Sequence, residues 1–239
     1  MKKIIFAAIL ILLVLVTVSL SFFRKGEFNY SGVMEAVEID LPARIGDTVK
    51  SVFAEEGDKI SKGQLLAEFD CREISIKEDI AAKEFKRAEQ LLKTTAGSKE
   101  NYDLKKSNYD NAALYKSWCK ITSPIEGKVL YRYYEPGEFA AAGRKVFTVA
   151  DLSKIDAWVY VEHDKLASLK PGMEVSGYLP ETGKNFKGVI LVVNDEAEFT
   201  PKNVQTRKER ERLVYGIKTR FENDENLTLK PGMTLEVTF

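Results

Sequence analysis

Residues able to do chemistry are sparse in this chain. Its 239 residues include one histidine, two cysteines and 36 basic against 36 acidic side chains. His163 stands in VEHDK. A catalytic base needs a nucleophile and an orienting group, and a metal ligand needs companions of suitable geometry. Neither set surrounds His163 in the sequence, so it reads, with Glu162 and Asp164, as solvated surface. Cys71 and Cys119 are too few and too far apart for a structural zinc site. Arg207–Arg212, RKERER, alternates in sign as solvated turns and strand edges do. With no net charge and no basic patch interleaved with aromatics, nucleic acid is not an expected partner. The reading is of a non-enzyme without cofactor or metal.

What the chain does carry is a repeat. Ile45–Phe69, IGDTVKSVFAEEGDKISKGQLLAEF, is matched at a constant offset of eighty by Ile125–Val149, IEGKVLYRYYEPGEFAAAGRKVFTV. The register superposes Val49 on Val129, Gly57 on Gly137, Gly63 on Gly143 and Leu66 on Val146. Each half alternates apolar and polar residues, with glycines where strands would reverse. Neither half can close a core alone, whereas two stacked halves bury each other's apolar faces.

Between the halves the pattern turns helical. Arg72 to Lys93 contains neither Gly nor Pro, and Ala81, Phe85, Ala88 and Leu92 form a narrow apolar stripe. Thr94–Ser98, TTAGS, is the break. Ser98 then caps a second helix with a weaker stripe at Tyr102, Tyr109, Ala112 and Ala113; Asn101 stands where a full capping box would have Glu or Gln. If this hairpin leaves and re-enters one sandwich, Cys71 and Cys119 sit together at its base. They are then either two buried thiols or, in an oxidising compartment, a disulfide. After Val149, strand patterns recur around Trp158–Val161, Val189–Val193, Leu213–Ile217 and Leu235–Phe239, with LKPGM turns at Leu169–Met173 and Leu229–Met233. They read as a second, smaller barrel.

EEGDKISKGQLLAEFD resembles the half-motif of biotinyl and lipoyl carrier domains, but the short hairpin bearing their modified lysine is absent. Two such halves split by a helical insert are instead similar to the periplasmic adaptor, or membrane-fusion, proteins of the HlyD family. Thr200–Lys218 resembles a recurrent stretch of that family's barrel domain. The resemblance implies a mainly β fold with a helical hairpin: residues 1–25 as membrane anchor, 26–70 and 120–152 as a lipoyl-like sandwich, 71–119 as the hairpin and 153–239 as the barrel. It further implies a ring, of six copies, joining an inner-membrane exporter to a TolC-type outer-membrane channel. With no strands expected beyond Phe239 to build a membrane-proximal domain, an ABC or major-facilitator transporter fits better than an RND pump. Arg87, Leu91 and Ser98, at spacings of four and seven within RAEQLLKTTAGSKENYD, resemble the residues by which these adaptors grip the channel. The alternative is a membrane-tethered scaffold with no channel, because the hairpin is short for the family.

Lys2 and Lys3 precede twenty uncharged residues, Ile4 to Phe23, closed by Arg24 and Lys25. At about 1.5 Å per residue such a run spans the roughly 30 Å hydrocarbon core as a helix. A cleaved signal peptide, supported by the small Ser19 and Ser21, competes with a retained inner-membrane anchor; the length of the run favours the anchor, with the bulk of the chain in the periplasm of a Gram-negative cell. The intact protein is therefore expected to sediment with membranes and resist carbonate extraction. A soluble mature form beginning near Leu20 or Phe22 would overturn that expectation.

Overall fold

A computed structural model of the chain describes residues 30–94, 96–199 and 213–239. The Ile4–Phe23 segment and Arg207–Arg212 lie outside the described residues. No described helix is long and apolar enough to cross a membrane. The strands are β1 (Tyr30–Glu35), β2 (Glu38–Pro42), β3 (Asp47–Val52), β4 (Lys59–Ile60) and β5 (Leu65–Phe69), followed by helices α1 (Arg72–Lys93) and α2 (Lys99–Ser117). Next come β6 (Lys120–Thr122), β7 (Gly127–Arg132), β8 (Phe139–Ala140), β9 (Lys145–Ala150) and β10 (Lys154–Glu162). A single turn, α3 (His163–Leu166), leads to β11 (Glu174–Leu179), β12 (Lys184–Phe199), β13 (Leu213–Glu222) and β14 (Thr234–Thr238).

These elements form two compact units, one of residues 34–156 and 222–233, the other taking in 30–33, 157–221 and 234–239 among the described residues. In the first unit two four-stranded sheets, ordered β2-β9-β7-β4 and β6-β5-β3-β8, make the sandwich. The eighty-residue offset maps one sheet onto the other, so every sheet draws strands from both halves. Gly57 donates its N–H to the Val129 carbonyl, and Gly137 donates to that of Val49. Both glycines need φ near +90°, at 90° and 96°, a conformation that strains any residue with a Cβ. The core between the sheets is apolar from both halves: Val49, Leu66 and Phe69 against Val129, Val146, Phe147 and Val149, each no more than 1% exposed. Asn223 ties the 222–233 loop to the end of the sandwich by donating to the Leu152 and Leu229 carbonyls.

The second unit is a closed barrel of order β1-β10-β13-β12-β11-β14. Here the structure corrects the sequence boundaries. β1 pairs with β14 through Tyr30↔Val237 to Val33↔Thr234, so the first described strand belongs to the barrel and not to a sandwich beginning at residue 26. Residues 222–233 likewise pack with the sandwich, within the stretch assigned to the barrel. The reason is edge closure: without β1 the barrel would expose the edges of β10 and β14. Both LKPGM segments turn as their Pro-Gly pair dictates, with Gly172 and Gly232 at φ 88° and 85° and Met173 and Met233 donating back to Lys170 and Lys230. Glycine also makes the interior fit. A Cβ at Gly188 would lie 2.5 Å from the Phe221 ring.

The insert leaves the sandwich at one point. β5 and β6 pair side by side, Glu68 opposite Lys120, and Phe69 donates to the Cys119 carbonyl. Asp47 receives the Cys71 N–H at 3.0 Å, although Cys71 sits at φ 45°, where a non-glycine residue is strained. Cys71 and Cys119 are joined by a disulfide with Cα atoms 6.1 Å apart.

Two outcomes follow from this packing. At Gly127 a Cβ would stand 2.3 Å from the Ala150 carbonyl oxygen; Gly127→Ala must move backbone. At Gly137 a Cβ meets nothing within 4 Å, and Gly137→Ala costs only its left-handed strain of about 1–2 kcal/mol. Thermal unfolding should rank Gly127→Ala as the more damaging; the reverse order would refute this account of the close approach of β7 to β9. For the disulfide, closing a loop over a separation of 48 residues stabilises by about 4 kcal/mol in the chain-entropy model. Exported protein, denatured without reductant, should therefore label with no free thiol, and Cys71→Ala/Cys119→Ala should melt at lower temperature.

Candidate docking site at the hairpin tip

α1 and α2 pack through the stripes read from the sequence. Ala88 is buried and Ala81, Phe85, Leu92, Tyr102, Tyr109, Ala112 and Ala113 are half-buried. The Phe85 ring lies between Tyr102 at 5.5 Å and Tyr109 at 5.6 Å between centroids. Tyrosines seven residues apart present one face of α2, so a single aromatic from α1 locks two turns of its neighbour. Ion pairs flank this stack: Lys105 meets Glu84 at 2.8 Å and Lys116 meets Glu78 at 2.6 Å.

The ion pairs set the hairpin's response to pH. Lys105 holds the Glu84 carboxyl below its usual value, first through the hydrogen bond and then through its charge. A carboxyl lowered in the folded state stabilises at neutral pH, and that contribution is lost as pH falls through the lowered value. Lys116 is raised, chiefly by its hydrogen bond to Glu78, so its contribution is present at neutral pH and fades only as pH rises through the alkaline range. Both pairs are solvated and act weakly.

At the far end the turn is closed on one carbonyl. Leu91 O accepts from Ala96 N and Gly97 N, each at 3.1 Å, and from the Thr94 hydroxyl at 3.1 Å. Gly97 is required by proximity: a Cβ there would be 3.0 Å from both Leu91 Cβ and Leu92 N. Ser98, in extended backbone, opens α2 by accepting the Asn101 N–H at 3.1 Å on its hydroxyl. The three proposed contact residues are thus placed as follows. Arg87 is exposed on α1, and its charge contributes to lowering Glu84. Leu91, one turn further along the same exposed face, is 46% exposed while its neighbour Leu92 takes the inward position. Ser98 is exposed across the turn. Arg87 and Leu91 share a helix face; Ser98 joins them by sitting beyond the turn that Leu91's carbonyl anchors.

Sequence reasoning missed the contribution of Thr94 and Gly97, whose hydrogen bonds and close approach close the turn on the Leu91 carbonyl. Their signal was the turn composition TTAGS itself. His163, by contrast, is an exposed first residue of α3 with its ring 5.9 Å from that of Tyr215. Among the described residues no group of three His, Cys, Asp or Glu side chains could hold a metal.

Residues 38–151, the two sandwich halves with the hairpin between them, match the family of CzcB-like barrel-sandwich hybrid domains. A curated relative, UPF0194 membrane protein of Citrobacter koseri, is 33% identical over 120 residues, which is 50% of this chain and 36% of that protein; the match spans about a third of the relative's length. Among solved structures, a MacA–MexA chimera carrying the Pseudomonas aeruginosa MexA α-hairpin superposes with a TM-score of 0.71 at 21% identity, covering 87% of this chain and 78% of that one. The membrane fusion protein Spr0693 of Streptococcus pneumoniae R6 does so at 0.64 and 18% identity, covering 87% and 96%. At such identities the likeness speaks for the fold. Residues 38–151 thus form a CzcB-like barrel-sandwich hybrid domain, and the chain as described shares the fold of solved membrane fusion proteins such as Spr0693.

Proposed function

We propose that this chain is a periplasmic adaptor, anchored in the inner membrane by Ile4–Phe23, that couples an exporter to a TolC-type outer-membrane channel. The observation that carries the reading is the tip: Arg87, Leu91 and Ser98 all face solvent at the end of a hairpin braced by an aromatic stack, and the Leu91 side chain is not consumed by the hairpin core. The role is assembly, without catalysis. Arg87 offers a fork of donors to channel carbonyls or carboxylates, Leu91 an apolar knob, and Ser98 a hydroxyl that caps α2 and faces outward. The barrel end contacts the transporter, of ABC or major-facilitator type, and six copies form the conduit. Efflux or secretion is the process served.

A second reading, the tethered scaffold without a channel, draws on helix length. α1 has 22 residues and α2 has 19, giving arms of about 30 Å. The carrier reading has no support in the hairpin, where helices replace the modified-lysine turn.

Arg87→Asp should abolish export and capture of the channel while leaving thermal unfolding unchanged, because an exposed helix charge contributes little to stability. Leu91→Asp should behave alike, whereas Gly97→Val should weaken capture by displacing Leu91. Export and channel capture both intact in Arg87→Asp would favour the scaffold.

A further inference from the structure

The barrel unit carries an apolar feature that neither its core nor the adaptor role has used. β12 and β13 run on as a two-stranded ribbon past an irregularity between Val193 and Ala197, pairing Ala197↔Tyr215, Glu198↔Val214 and Phe199↔Leu213. Directly opposed residues share a face of a ribbon. Phe199 is 74% exposed and Leu213 is 55% exposed, a large aromatic and a leucine held side by side in water.

The direction of this ribbon follows from its neighbours. Tyr215 meets the ring of His163, the residue after β10. Tyr30 lies at the same end: its phenol is raised first by burial and then by the charges of Asp164 and Glu162, and its ring packs 5.5 Å from that of Phe239. Phe199 and Leu213 stand two residues beyond Tyr215, about 7 Å further out at a strand rise of about 3.4 Å. The ribbon therefore projects from the barrel end at which the chain enters.

That end is tethered. From Phe23, the last apolar residue of the N-terminal run, to Tyr30 there are seven residue steps, which reach at most about 25 Å when fully extended. A membrane anchor at Ile4–Phe23 thus holds the Tyr30 end of the barrel within that distance of the bilayer, and the ribbon spans part of the gap. Aromatic side chains partition into the membrane interface, and one exposed aromatic–aliphatic pair adds a weak contact that the tether makes effective through high local concentration.

We propose that Phe199 and Leu213 form a lipid-contacting wedge that rests in the interface of the membrane holding the N-terminal anchor, fixing the tilt of the barrel over the bilayer. The proposal rests on the anchored reading.

The test uses the full chain reconstituted in vesicles of phosphatidylethanolamine and phosphatidylglycerol, with brominated acyl chains as quencher. Three single variants, Phe23→Trp, Phe199→Trp and Ile80→Trp, are compared with the parent protein, and the added tryptophan emission is read by difference. The expected result is quenching and a blue shift at positions 23 and 199, and neither at position 80 on the hairpin. Quenching at 23 alone overturns the wedge while leaving the anchor intact. Absence of quenching at 23 and 199 overturns both. Protection of position 199 only when a membrane transporter is co-reconstituted would also overturn the lipid contact, assigning the pair to a protein partner. As a second readout, Phe199→Glu/Leu213→Glu should leave thermal unfolding unchanged but increase protease access to the 26–29 tether in vesicles.

Discussion

Neither half of the repeat can complete its own sheet, and the architecture of the sandwich unit depends on that constraint. β4 finds its partner in β7 and β8 finds its partner in β3, so the short strand of each half closes the sheet of the other. The reciprocal bonds from Gly57 to Val129 and from Gly137 to Val49 are the same interaction seen twice. Unpaired backbone groups in a buried edge carry a desolvation cost, and the exchange removes it in both halves together. The chain between the halves is then free to be anything that starts and ends at one place, because β5 and β6 lie side by side.

The hairpin exploits that freedom and is constrained only at its foot and along its seam. At the foot, the Asp47 carboxylate, the β5–β6 pairing and the Cys71–Cys119 bond meet within a few residues, where Cys71 holds a strained backbone. Along the seam, Phe85 between two tyrosines supplies geometry that the polar faces of α1 and α2 cannot. A hairpin so braced at foot and seam leaves Arg87, Leu91 and Ser98 exposed at its tip.

The barrel obeys a different rule, edge removal by closure, and it recruits the chain's first described strand to do so. β1 enters between β10 and β14. Its start at Tyr30 ties the barrel end to whatever precedes it along the chain, while β12 and β13 extend from that same end.

Much of this was legible in the residues. The eighty-residue offset announced one domain of two matched halves, but not that each sheet takes strands from both, because alternation is the same whichever half supplies the partner. The bounds of α1 followed from an unbroken run of helix formers, and Ser98 announced the second helix because only a short polar side chain caps well. Other features belonged to tertiary structure alone. The closure of the turn after α1 is one, with three hydrogen bonds converging on the Leu91 carbonyl and Gly97 close against Leu92 N; the inward position of Leu92 had already followed from its helical spacing with Ala81, Phe85 and Ala88. That Tyr30–Glu35 closes the barrel instead of edging the sandwich could not be read from alternation, which is the same for either sheet. The hairpin reading already brought Cys71 and Cys119 to one base, while the choice between two thiols and a bond was made by the pairing of β5 with β6. Periodicity reports which face of an element is apolar; only the packed chain decides what that face meets.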